Sequence, residues 1–355
     1  MSFKLKTLII GCGSIGRRHA RNAIDLGAEV VLCDLNIQRM KEFGGPLGIT
    51  DYYTDYQTAI DNSGAHVAVV ATPSNFHYEP AKALVQRGIP VLMEKPLCLS
   101  LDEALHLERI VRERDAILMM AHTYRFRDEW IAVRHMLDDW PLGKIYSAEF
   151  TGGWYLPDWH IREDYRTEYA GKKELGGGVL FTGMSHLFDI VVWLFGEIDT
   201  ITGVCMKQSN LDINVDDTFV CVLRSSSGVT ITIIEDFLSR LPRRQLRINA
   251  EFGHVEIDFN RKKMFFWDVH EKRYDPTVEA EAPTKKDLFR ILEDGVGYNL
   301  EPEVKMLKYS GNDAYLNELK SFFEIVSEGK TRFPLDIDSG IKVLELIHHK
   351  GIQHG

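Results

Sequence analysis

Two kinds of hydrophobic pattern divide the chain near residue 122. Before that point, short unbroken apolar runs alternate with segments in which apolar residues recur every three or four positions. The runs predict strands buried on both faces, and the periodic segments predict helices. The predicted strands are Leu8–Ile10, Val30–Cys33, Val67–Ala71, Val91–Met93 and Ile117–Ala121, and the predicted helices are Ile15–Leu26, Tyr78–Gln86 and Leu101–Arg114. This alternation indicates a parallel, doubly wound sheet with right-handed crossovers, which makes residues 1–122 an α/β domain.

The pattern changes after Tyr124. An aromatic-rich irregular segment over residues 154–175 precedes an apolar helix predicted for Val179–Phe195. From Ile198 to Trp267 the pattern predicts consecutive strands joined by turns, which indicates a largely antiparallel sheet. Two further helices are predicted over Ala314–Glu328 and Ser339–His348. Residues 123–355 are therefore expected to form a second domain of the α+β class.

Composition excludes several classes of protein. The 355 residues suffice for two domains, and 45% apolar with 26% charged residues is ordinary for a soluble enzyme. A net charge of −10 argues against a nucleic-acid surface. We find no apolar run near the ~20 residues of a membrane span and no signal-peptide core at the start, so we expect no membrane association. Five scattered cysteines suit the reducing cytoplasm and form no metal-binding spacing, so we expect no metal site.

A glycine turn follows the first predicted strand. Gly11, Gly13 and Gly16 stand in the G-x-G-x-x-G spacing, and Ser14 and Ile15 open the helix behind them. Such a turn lets a pyrophosphate approach the backbone and face the helix amino end. Asp34 ends the second strand, where a carboxylate bonds ribose hydroxyls and repels a 2′-phosphate, so NAD is expected rather than NADP. The alternative is a glycine-rich turn that binds no nucleotide, and the strand, the helix and Asp34 weigh against it.

Two later strand ends should line the same crevice, because ligands of open parallel sheets bind at the carboxyl ends of the strands. Thr72, Pro73 and His77 follow the strand that begins at Val67, although a plain strand-to-helix loop would also explain them. Glu94-Lys95-Pro96 closes the strand that begins at Val91. Lys95 is a cation that can hold a hydroxyl, a carbonyl or a cofactor ribose. The predicted cofactor residues are Gly11, Gly13, Ser14, Ile15, Gly16, Asp34, Thr72, Pro73, His77, Glu94 and Lys95.

These motifs, with a glycine-rich segment that leads to His186, resemble the Gfo/Idh/MocA family of nicotinamide-dependent sugar and polyol oxidoreductases. The resemblance covers nearly the whole chain. It implies a Rossmann domain over residues 1–122 and a domain over residues 123–355 built on a large, open, mostly antiparallel sheet, whose exposed face makes a homodimer or homotetramer. The stretch 154–166 is similar to members linked to surface polysaccharide and nonulosonic-acid biosynthesis.

The resemblance also implies that Lys95 lies between nicotinamide and substrate and that His186 faces it from the second domain. A histidine there can take the hydroxyl proton as hydride leaves carbon. Family members that oxidise polyols carry an aspartate where this chain has Thr182, so Thr182 and Asp189 are the candidates for a proton relay. The alternative is that His186 is a core histidine bonded to Asp189.

Aromatic and basic residues suit a sugar, since aromatic faces stack on sugar rings while basic groups bond hydroxyls or carboxylates. The alternative is an aromatic cover over the domain junction. The candidates for substrate binding are Tyr124, Arg125, Tyr155, Trp159, His160, Tyr165 and Arg166.

The sequence thus predicts a dehydrogenase or reductase that interconverts a hydroxyl and a ketone on a sugar, polyol or nucleotide-sugar. The alternative is a non-catalytic NAD-binding regulator or scaffold on the same fold, which the missing aspartate favours and Lys95 and His186 oppose.

Overall fold

The predicted parallel sheet is confirmed. The computed structural model describes residues 3–139, 142–159, 164–268, 303–306 and 311–355. Six parallel strands in this part form one sheet in the order β3-β2-β1-β4-β5-β6. They are β1 Lys6–Ile10, β2 Glu29–Cys33, β3 Tyr52–Tyr53, β4 Val67–Val70, β5 Val91–Glu94 and β6 Leu118–Ala121. Since β1 and β4 are central neighbours, the ends of β1, β4 and β5 meet at one edge.

Helices connect these strands: α1 Ser14–Asp25, α2 Ile37–Gly44, α3 Tyr56–Asn62, α4 Tyr78–Gln86 and α5 Leu101–Glu113. The sequence interpretation missed α2 and α3, although each has an N-cap signal: the side chain of Asn36 accepts from the amide of Arg39, and that of Asp55 from the amide of Thr58. Ser100 precedes α5 in a sequence with the capping-box pattern, but its side chain makes no cap hydrogen bond.

The second sheet is also as predicted, mostly antiparallel. In the described part its order is β14-β13-β12-β11-β7-β10-β9-β8-β15, and only the pairs β7–β10 and β8–β15 are parallel. Its strands are β7 Ile145–Gly153, β8 Ile198–Met206, β9 Thr218–Ser225, β10 Thr230–Asp236, β11 Arg243–Ala250, β12 Gly253–Asp258, β13 Lys263–Asp268, β14 Glu303–Met306 and β15 Ile352–His354. Alternation gives it an apolar inner face, with Ile231 and Ile233 fully buried.

The remaining helices are α6 Asp128–Asp139, α7 Val179–Thr182, α8 Met184–Phe195, α9 Asp313–Glu328 and α10 Ile337–Ile347. The single helix predicted over Val179–Phe195 was wrong, because the chain breaks at Gly183. By length and apolar composition the segment Lys173–Phe195 could cross a membrane, contrary to our expectation, but 72% of its most apolar window is buried inside the fold, as in a core helix.

The last two helices, α9 and α10, pack against the first sheet. Leu319, Phe322 and Phe323 of α9 are fully buried and pack with Ile9 and Ala20 on one face of that sheet. Helix α10 packs between α5 and α8 on the other side. The packing of α9 on α1 brings Glu318 within 4.8 Å of His19 and of Glu94, at the end of β5.

Removing one of these aromatic anchors should destabilise the first domain. Phe322→Ala should lower the free energy of unfolding by about 3–5 kcal/mol, since it leaves a cavity in a packed core. Chemical denaturation monitored by circular dichroism measures the change. Leu241→Ala is the control, because Leu241 is 84% exposed and its loss should be nearly neutral. Equal stability of the two variants would contradict the packing described here.

Candidate active site

A cleft of about 550 Å³ opens at the edge where β1, β4 and β5 end. Its volume is in the range of small-molecule and cofactor sites. All the predicted cofactor residues except Gly16 line it. The walls also include Arg17, Arg39, Glu168 and Tyr169, which the sequence interpretation did not single out.

The glycine turn has the shape that a dinucleotide phosphate requires. Gly11 has φ +95°, and a Cβ there would stand 2.5 Å from the carbonyl oxygen of Ala71. A Cβ on Gly16 would stand 1.8 Å from the carbonyl oxygen of Gly11, so Gly16 packs the helix against the strand. Gly13, by contrast, faces open space and caps α1 without a side-chain bond. The amide groups at the start of α1 therefore remain available to an anion.

Asp34 stands at the end of β2 with its carboxylate held by the turn. One oxygen accepts from the amide of Cys12 at 2.7 Å, and the other accepts from the amide of Asn36 at 2.8 Å. Arg39 approaches the same carboxylate, with Nη1 3.8 Å from Oδ2. A carboxylate has further lone pairs for ribose hydroxyls, and the arginine offers a cation at the same rim. The residues present thus fit a bound NAD.

His77 holds the cleft wall rather than reaching into it. Its Nδ1 lies 2.7 Å from the carbonyl oxygen of Pro96, and its Nε2 lies 2.9 Å from that of Thr72. Burial lowers the pKa of His77, although both carbonyls oppose that shift. The imidazole therefore ties the loop after β4 to the loop after β5.

Lys95 lies at the centre of the edge. Its Nζ donates to the carbonyl oxygen of Thr182 at 3.1 Å. Burial lowers its pKa to about 8, against the opposing charge of Glu94. The group is thus poised between its charged and neutral forms near neutral pH.

His186 lies close to this lysine on the other side of the helix break. It is half-buried, and its ring stacks on that of Tyr124 with centroids 4.2 Å apart and planes 4° apart. Burial, then the positive charges of Lys95 and Arg127, hold its pKa well below the usual range, so the imidazole is neutral. Within the described chain its Nδ1 has no hydrogen-bond partner. The described residues show no hydrogen bond between His186 and Asp189, which was the alternative to a catalytic role.

The two relay candidates are engaged elsewhere. The Thr182 hydroxyl donates to the carbonyl oxygen of Gly178 at 2.6 Å. Asp189 is buried and accepts from Arg125 through both carboxylate oxygens, at 2.6 to 3.1 Å. Arg125, predicted to bind substrate, is thereby held in a forked ion pair. A relay role for Thr182 or Asp189 stays a prediction that these contacts do not support.

The aromatic segment is packed by its own contacts. Tyr155 lies under the Arg240 guanidinium at 3.5 Å, and Trp159 packs edge-on against Phe237. Arg166 is exposed and pairs with Asp164 at 2.6 Å. The hydroxyl of Tyr165 accepts from the amide of Asp212 at 3.4 Å. His160 lies outside the described residues.

A buried polar cluster beneath Lys95 was missed by the sequence interpretation. His19 Nε2 and Glu94 Oε1 are 2.9 Å apart, and Glu318 lies within 4.8 Å of both. Burial, followed by the charge of Glu94, raises the pKa of Glu318 well above its usual value. A metal ion here would have to replace the direct bond between His19 and Glu94. No local pattern reveals this cluster, since its members lie on α1, β5 and α9.

Comparison with known proteins agrees with this architecture. Residues 5–122 match the model of an oxidoreductase family with an NAD-binding Rossmann fold, and residues 130–256 match the Gfo/Idh/MocA C-terminal domain model. The chain is 22% identical to a levoglucosan dehydrogenase of Pseudarthrobacter phenanthrenivorans, over 92% of this chain and 90% of that protein. It is 25% identical to an NAD-dependent scyllo-inositol 2-dehydrogenase of Bacillus subtilis, over 97% and 92%.

Among solved structures, a UDP-N-acetylglucosamine 3-dehydrogenase of Acidithiobacillus ferrooxidans superposes with a TM-score of 0.74 at 18% identity, covering 97% of this chain and 96% of that one. The two domain models match most of the chain, with NAD as the cofactor of the first. The chain therefore belongs to the Gfo/Idh/MocA family of NAD-dependent oxidoreductases.

Proposed function

We propose that this protein interconverts a hydroxyl and a ketone on a sugar, polyol or nucleotide-linked sugar, with Lys95 and His186 at the reacting oxygen. The observation that carries the proposal is the placement of these two groups. Lys95 lines the cofactor cleft, and its ammonium bonds Thr182, four residues before His186. The substrate classes are those named for the relatives, which act on levoglucosan, an inositol and a UDP-sugar.

Bound NAD would supply the hydride acceptor in oxidation and the hydride donor in reduction. Lys95 has three N–H donors and gives one of them to Thr182, so it can bond the substrate oxygen as negative charge develops there. Its lowered pKa keeps it close to proton exchange at neutral pH.

His186 is suited to receive the hydroxyl proton. It is neutral, so one of its two ring nitrogens is unprotonated and can accept a proton. Its lowered pKa means that the proton leaves again easily, which allows turnover in oxidation. In reduction the same ring would return a proton to the new alkoxide.

A carbohydrate screen tests this function. With NAD, at least one of levoglucosan, scyllo-inositol and UDP-N-acetylglucosamine should give a rise in NADH absorbance. Lys95→Ala should lower kcat by at least about 100-fold, since one donor to the developing charge is lost. Lys320→Ala, at an exposed lysine on α9, is the control. Cofactor binding without turnover across the panel would favour the regulator, and full activity in Lys95→Ala would remove the lysine from the mechanism.

The Asp34 carboxylate should set the preference for NAD. Asp34→Asn keeps the shape but removes the charge that repels a 2′-phosphate, and it leaves Arg39 free to attract one. The ratio of NADPH to NADH dissociation constants should fall about tenfold, as expected for one nearby charge. Fluorescence titration of both cofactors measures this ratio, with Glu42→Gln as the control. An unchanged ratio would show that Asp34 does not read the ribose.

We also propose that the outer face of the second sheet joins copies of the chain. Val220 and Val222 of β9 and Ile234 of β10 share this face and are 37–48% exposed. Adjacent exposed apolar side chains mark interaction surfaces. Val222→Glu would bury a charge in such an interface, so it should shift a dimer or tetramer towards monomer in sedimentation analysis. A wild-type monomer, or an assembly that Val222→Glu leaves intact, would contradict this placement.

A further inference from the structure

A carboxylate and a guanidinium face each other across the inner side of the second sheet. Glu235 follows Ile231 and Ile233 on the inner face of β10, at the carboxyl end of the strand. Arg244 of β11 pairs in register with Gly152 of β7, the strand between them. Neither Glu235 nor Arg244 stood out in the sequence, because alternation predicted only the apolar part of this face.

Two glycines make room for the Glu235 carboxylate. A Cβ on Gly152 would stand 1.7 Å from Glu235 Oε2, so a side chain there would displace the carboxylate from its present position. A Cβ on Gly183, at the helix break, would stand 3.1 Å from Glu235 Cγ and 3.3 Å from Oε1. The carboxylate therefore lies against the backbone of the break that separates Thr182 from the helix of His186.

This carboxylate is left without a partner of its own. Among the described residues, no hydrogen bond or ion pair to it is found. The charged groups near Glu235 contact other residues. Asp236 pairs with Arg243 at 2.6 Å, and the Arg244 guanidinium lies 5.1 Å from the ring centroid of Tyr124. Burial raises the pKa of Glu235 to about 7, Asp236 adds to the rise, and Arg244 and Arg243 oppose it. Keeping a partly buried, unpaired carboxylate costs stability, so such a group is a candidate for function.

The space beside Glu235 adjoins the proposed reaction centre. A recess of about 30 Å³ is lined by Glu235, Arg244, Tyr124 and Leu187. The ring of Tyr124 stacks on the ring of His186, and Leu187 follows His186 in the helix. A volume of this size holds a water molecule or a single hydroxyl group. A sugar whose reacting oxygen meets His186 could therefore place a neighbouring hydroxyl here.

We propose that Glu235 and Arg244 form a substrate subsite that binds a hydroxyl next to the reacting carbon of a polyhydroxylated ring. The Glu235 carboxylate accepts a hydrogen bond from that hydroxyl, while the Arg244 guanidinium donates to its oxygen or to the oxygen of the next hydroxyl. This inference rests on the proposed function and narrows it to substrates with adjacent hydroxyls. In this arrangement Arg244 binds the substrate and also contacts the ring of Tyr124, on which His186 stacks.

Kinetics with levoglucosan, scyllo-inositol and UDP-N-acetylglucosamine test the subsite. For whichever of them wild type turns over, Glu235→Gln and Arg244→Gln should each raise KM by roughly tenfold or more, with a smaller change in kcat, because charged hydrogen bonds to bound substrate are lost. NADH affinity should stay unchanged. Glu149→Gln is the matched control: Glu149 pairs in register with Arg247 on the outer face of the same strands, and its KM should not move.

A second measurement needs no substrate. The folded-state pKa of Glu235 is raised from 4.5 to about 7, so its ionisation lowers stability progressively as the pH rises from about 4.5 to about 7, and the loss is complete above that. Glu235→Gln should therefore raise Tm by about 2 °C or more at pH 8, and by less at pH 5.5. A Tm gain equal at both pH values, or absent at pH 8, would overturn the unpaired carboxylate on which the subsite depends.

The outcomes separate the two proposals. If wild type turns over a substrate and the KM of Glu235→Gln is within twofold of the wild-type KM, the subsite is overturned and the proposed function stands. No turnover by wild type on any of the three compounds overturns both, since the subsite has no substrate without the reaction. A raised KM together with the pH-dependent Tm gain supports the subsite.

Discussion

One hydrogen bond joins the edge of the first sheet to a helix break in the second domain, at the place where we propose that the reaction occurs. The Lys95 ammonium, at the end of β5, donates to the carbonyl of Thr182 at the end of α7. In a continuous helix that carbonyl would accept the amide of His186. The break at Gly183 shifts the His186 amide to the carbonyl of Gly183, so the carbonyl of Thr182 is free for Lys95 and for the Ser185 hydroxyl. The helix break therefore leaves a carbonyl oxygen that accepts from the Lys95 ammonium.

Burial then decides the charge of each group around this bond. Desolvation lowers the pKa of both Lys95 and His186, and the positive lysine pushes the histidine down further. Beneath them, Glu94 is bound to His19, while burial and the charge of Glu94 raise the pKa of Glu318. A neutral acid at Glu318 avoids a second buried negative charge beside Glu94. A cation at Lys95 and a neutral base at His186 are the charge states that the proposed hydride and proton transfer requires.

The sequence predicted those features that short-range physics controls. Unbroken apolar runs revealed β4 and β5, and the glycine turn with Asp34 located the cofactor cleft, because each signal lies within a few residues. The break at Gly183 was missed, since glycine inside an apolar helix is tolerated and the contacts that Lys95 and Glu235 make at the break are tertiary. Glu318 and the pair of Glu235 with Arg244 were missed because their partners are distant in sequence. The pairing of Arg125 with Asp189, 64 residues apart, is likewise tertiary.

The lysine charge is the most direct test of this account. Lysine labelled with ¹³C at Cε gives an NMR titration of each ammonium in the full-length protein, and the spectrum of Lys95→Arg identifies the Lys95 signal. We predict a midpoint near pH 8 for Lys95, because burial beside the cleft lowers its pKa and only the charge of Glu94 opposes that shift. A midpoint near the ordinary value of about 10.4 would show a solvated lysine and would contradict the buried cation on which the proposed mechanism rests.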